Sequence, residues 1–135
     1  MSNITVRLTP QVDKYLATAK NKSAAANRAI ESWIACEKDA RRALKGFFTV
    51  RELCALIDIL NATIIDVAHA NSLRYEFEDA CSLDGMDSKW GLDKASTLAK
   101  MDALTMPQWI VLAQWAAAFW DDTDRSVESY AAQLA

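Results

Sequence analysis

A mainly α-helical chain is what this sequence predicts, and three observations carry the prediction. Only three Gly and two Pro interrupt 135 residues, too few breakers for a turn-rich sheet. Hydrophobic residues make up 52% of the chain and include five Trp, which argues for a packed core and against disorder. Apolar side chains then recur at three- and four-residue spacing over most of the length, the period of one helix face. No apolar run reaches the roughly eighteen residues of a spanning helix, and no basic segment precedes a hydrophobic block, so the expectation is a cytoplasmic protein without a membrane partner.

The exception to the helical pattern comes first. In NITVRLTP, residues 3–10, Ile4, Val6 and Leu8 alternate with Asn3, Thr5 and Arg7. This predicts a short strand over residues 3–8 with one apolar and one polar face. Thr9 and Pro10 read as N-cap and first helical residue, ahead of Val12, Tyr15, Leu16 and Ala19 on one stripe. Asn21-Lys22-Ser23 reads as a turn ending in a second cap at Ser23, followed by a helix over residues 24–45 that stops at Gly46. Its inward face is expected to hold Ala26, Ala29, Ile30, Trp33, Ile34, Ala40 and Leu44.

The remainder reads as further helices. Thr49 and Glu52 form a capping box before Leu53, Leu56, Ile57 and Leu60. A helix is expected over residues 73–82, and another over 94–104 with Asp93 as its cap. Thr105-Met106-Pro107-Gln108 opens a last long helix on which Trp109, Leu112, Ala116, Phe119 and Trp120 share a face. A weaker amphipathic stretch covers residues 126–134, and residues 82–93 read as an interhelix loop.

A strand, a capped helix, a tight turn and a second capped helix, carried by ITVRLTPQVDKYL and NKSAAANRAIESWI, resemble the ribbon-helix-helix family of DNA-binding proteins, the Arc and methionine repressor type. Residues 47–135, beyond the match, read as an acidic helical domain; the resemblance implies a ribbon-helix-helix module for dimerisation and DNA binding over residues 1–46. It also implies a homodimer formed through residues 3–8 and the first two helices, with the paired strands in the major groove of double-stranded DNA. Asn3, Thr5 and Arg7 would then meet base edges, Arg7 suiting guanine and Asn3 adenine. Lys22, Ser23, Ala24 and Arg28 would hold backbone phosphate at the start of the second helix. The function so implied is a sequence-specific transcriptional regulator of the sort found in bacterial, phage or plasmid genomes.

Charge supports a division of labour. Residues 1–52 carry ten Lys and Arg against five Asp and Glu, a net +5, while residues 53–135 carry five against thirteen, a net −8. A polyanion would meet the front of the chain. The acidic remainder supports a rival reading, a protein-interaction or inhibitor protein of antitoxin or phage anti-defence type that uses the N-terminal part mainly to dimerise.

Catalytic chemistry is not expected. No Walker loop, nucleotide fingerprint or nucleophile elbow occurs, so no catalytic residue and no cofactor is assigned. Cys36, Cys54 and Cys81 lack a CxxC pair and read as small core residues. His69 is the single histidine, and SLDGMDSKWGLD, which contains Asp84, Asp87 and Asp93, fails the calcium-loop pattern, so no metal is expected. Trp90 reads either as a packing anchor or as a recognition residue. Asp121, Asp122 and Asp124 read as a solvated helix end.

Overall fold

The computed structural model of the chain describes residues 7–62, 67–121 and 124–135. Among the described residues the regular structure is helical throughout, eight α-helices and two short 3-10 segments, with no strand. The mainly α class therefore holds and the ribbon-helix-helix fold does not. Residues 3–6 of the expected strand lie outside the described residues, and Arg7 and Leu8 belong to no strand. The reason is physical: a strand needs a ladder partner for its amides and carbonyls. Every regular segment described here is a helix, which pairs those groups internally.

The chain divides into two compact units, Met1–Cys36 and Glu37–Ala135. The boundary falls inside the second helix, whereas the sequence expectation placed it after Gly46. In the first unit, α1 (Pro10–Leu16) is capped as expected, with Thr9 Oγ1 accepting from Val12 N at 3.3 Å. α2 (Lys22–Leu44) starts earlier than expected. Its cap is Asn21, whose Oδ1 accepts from Ala24 N at 3.0 Å, rather than Ser23. Asn caps at least as well as Ser, and choosing it gains two more helical residues. Leu16 is the one buried side chain described in this unit. Ala26, Ala29 and Trp33 are half-buried, while Ile30 and Ile34, expected to face inward, are exposed.

The second unit holds the core. α3 (Val50–Ala62) is apolar nearly all round, so it sits in the middle: Leu53, Cys54, Ala55, Leu56 and Ile57 are fully buried. Around it pack α4 (Leu73–Asp84), α5 (Met86–Trp90), α7 (Met106–Ala118) and α8 (Val127–Ala131), and α6 (Lys94–Asp102) packs on α4. A 3-10 segment, Val67–Ser72, leads into α4 and carries the exposed His69. Asp93 Oδ1 caps α6 through Ser96 N, and Thr105 N donates to Gln108 Oε1 at the head of α7. Cys81 is buried like Cys54, but Cys36 is exposed, contrary to its expected core role.

One detail corrects the reading of residues 82–93 as a loop. The segment contains α5, and its Trp90 is a packing anchor: Asp58 Oδ2 on α3 accepts from Trp90 Nε1 at 3.1 Å and from Lys89 Nζ at 2.7 Å. Gly91 ends α5 at φ +66°, and a Cβ there would lie 2.9 Å from Arg51 Nη1. Gly91→Ala is expected to cost about 1 kcal/mol, the left-handed penalty for a residue with a Cβ, because the flexible guanidinium can move aside. Urea unfolding checks this; an unchanged midpoint contradicts it.

The chain's last turn is tied back to the end of α2. Lys45 Nζ donates to Gln133 O at 2.7 Å and to Ala135 O at 3.2 Å, and Gly46 N donates to Leu134 O at 2.9 Å. Tyr130 stacks on Trp115 with centroids 4.7 Å apart and donates its hydroxyl to Trp115 O. Trp120, expected on the buried face, lies at its edge, 39% exposed, with Nε1 donating to Ile57 O.

Candidate functional site

Of the residues expected to contact bases, Asn3 and Thr5 lie outside the described residues. Arg7 is exposed and lines an apolar groove of about 790 Å³ between α1 and the front of α2. Ser23 reaches the same groove. Arg28 lines a neighbouring shallow groove with Tyr15 and Trp33, while Lys22 lies exposed at the first position of α2 and Ala24 is half-buried beside it. The structure thus brings Arg7 and Ser23 together and leaves Lys22 and Arg28 on the flanks.

The groove wall is mostly hydrocarbon. Leu8, Val12, Tyr15, Ala26 and Ile30 contribute to it, with Leu16 at its floor. Tyr15 is 71% exposed and Ile30 56%, and Ile34 continues the exposed apolar line one turn on. Such a face is more than a scattering of surface apolar residues. It sits in a basic setting: residues 1–36 carry five Lys and Arg against two Asp and Glu. The described cations among them, Arg7, Lys14, Lys20, Lys22 and Arg28, make no ion pair with a described residue.

A polar cluster in the second unit has a different character. Glu52, 4% exposed, accepts at Oε1 from Thr49 N at 2.9 Å and from Lys100 Nζ at 2.5 Å, and at Oε2 from the Thr97 hydroxyl at 2.8 Å. Burial pushes its carboxyl up, but the bonds from Lys100, Thr49 and Thr97 outweigh burial and hold it below its ordinary value. The adjoining cavity of about 440 Å³ is bordered by Arg51, Lys100, Glu52 and Asp93. Its charges balance, and the helix starts beside it are capped by its own carboxylates. The arrangement pins α6 to α3 and leaves little for a ligand to gain. The capping box was visible in the sequence; the partners Thr97 and Lys100 were not, because no local spacing announces them. Among the described residues no group of three or more His, Cys, Asp or Glu is placed to hold a metal ion, and no helix is long and apolar enough to cross a membrane. No protein-family model, no curated protein and no solved structure matches the chain.

Proposed function

We propose that the chain works as a homodimeric DNA-binding regulator whose N-terminal unit supplies both the dimer contact and the DNA contact. The observation that carries this reading is the uncovered apolar face of α1 and the front of α2. Among the described residues of this unit one leucine is buried, far too little core to hold them together. The same patch presents both a groove and projecting side chains, Tyr15 and Ile30, which is the self-complementarity that a two-fold contact requires. A second copy doubles the basic flank, and Arg7, Lys22 and Arg28 would then meet backbone phosphates from both subunits. The start of α2 adds the positive end of its dipole. Phosphate contact of this kind needs no strand in the groove.

The test combines light scattering on the full chain at micromolar concentration with fluorescence anisotropy on a labelled random duplex pool at about 50 and 200 mM salt. A dimer is expected, with affinity that falls steeply between the two salts. Lys22→Ala combined with Arg28→Ala removes four cations per dimer and should flatten the log–log salt slope by about 3 to 4. A monomer at every concentration, or a slope that the double substitution leaves alone, overturns the reading.

A further inference from the structure

The outward face of α4 combines features that core packing does not use. At helical spacing Tyr75, Glu76, Asp79 and Leu83 fall within roughly a third of the helix circumference, opposite the buried Leu73, Phe77 and Cys81. Leu83 is 82% exposed and Tyr75 63%. Glu76, Asp79 and, at the helix end, Asp84 make no ion pair with any described residue. The cation next to them is already committed: Arg74, which lies over the Tyr75 ring at 5.5 Å, donates to Asp102 and Glu78. Lys94, bonded to Ser82, marks the stripe's edge.

We propose that this stripe docks a cationic amphipathic helix of a partner protein. Charge complementarity selects the occupant: uncompensated carboxylates alternate with exposed apolar side chains, in a part of the chain where residues 53–135 carry −8. A partner helix with Leu-type side chains on one line and Lys or Arg beside it covers Leu83 and Tyr75 while pairing Glu76 and Asp79. The eight-residue step from Tyr75 to Leu83 spans about 12 Å at the helical rise, which matches two turns of such a helix. Acidic character also separates this surface from the basic N-terminal unit, so the inference stands whether or not that unit binds DNA.

A synthetic peptide of Leu and Lys patterned as an amphipathic helix is the probe, with its Leu and Glu counterpart as control, both titrated into the 15N-labelled full chain. Binding of the Lys peptide should shift amide signals along α4 and weaken with salt. Glu76→Lys with Asp79→Lys should raise Kd at least tenfold, as should Leu83→Ser, while Asp121→Lys leaves it alone; circular dichroism confirms that each variant folds. Equal binding of the Glu peptide, shifts confined to other helices, or unchanged affinity in both α4 variants overturns the proposal.

Discussion

Glu52→Ala is expected to lower the unfolding free energy by about 3 kcal/mol, the range for removing one partner of a largely buried, hydrogen-bonded ion pair. Three losses add. The Thr49 amide at the head of α3 loses its acceptor, the buried Thr97 hydroxyl loses its carboxylate and keeps only Asp93 O, and Lys100 is left without a counter-charge. Thermal or urea unfolding measures the effect, and a loss below about 1 kcal/mol, no more than a cap alone, would show that the cluster does not join α6 to α3. The pH dependence carries the same sign. The folded carboxyl titrates below its ordinary 4.5, so its contribution is complete above that value and fades as pH falls through the lower, folded one. The parent should therefore lose stability below pH 4.5 more steeply than the Ala variant.

Phe77→Ala should cost about 3–5 kcal/mol, the usual range for deleting a fully buried aromatic side chain. Phe77 is among the largest side chains with no exposure, on the inner face of α4. Its removal takes away the transfer free energy of the ring and leaves a cavity against the neighbouring helices. Six residues on, Leu83→Ser changes a side chain already in solvent and should stay within about 0.5 kcal/mol. Measuring the pair together separates the two faces of one helix. If both are costly, α4 is buried on both sides and its outer stripe is not open to a partner.

Helical class and most caps were legible in the sequence because they depend on residues three or four apart: Thr9, the Thr49 and Glu52 pair, and Asp93 cap the helices they precede. The cap at Asn21 was misread by two residues because two adequate cap residues compete there. What local pattern does not reveal is which apolar face finds cover. Ile30 and Ile34 repeat like core residues yet stand exposed, and alternation over residues 3–8 resembles a strand although no described segment offers it a ladder. Thr97 and Lys100 are far from Glu52 in sequence, and only the packing of α6 makes them its partners. For the candidate surface, the sequence marked Arg7 and Ser23, but the groove that unites them follows from the α1 to α2 turn.

The bonds from Lys45 to the final residues set an order of events during synthesis. The acceptor at Gln133 is made 88 residues after its donor, which at about 5–20 residues per second means a wait of about 4–18 s. Until then Trp115 lacks its stacking partner Tyr130, and α3 lacks the cover of α8. A newborn chain is therefore open along that side for seconds, and a stalled or truncated product would present it indefinitely to chaperones and proteases.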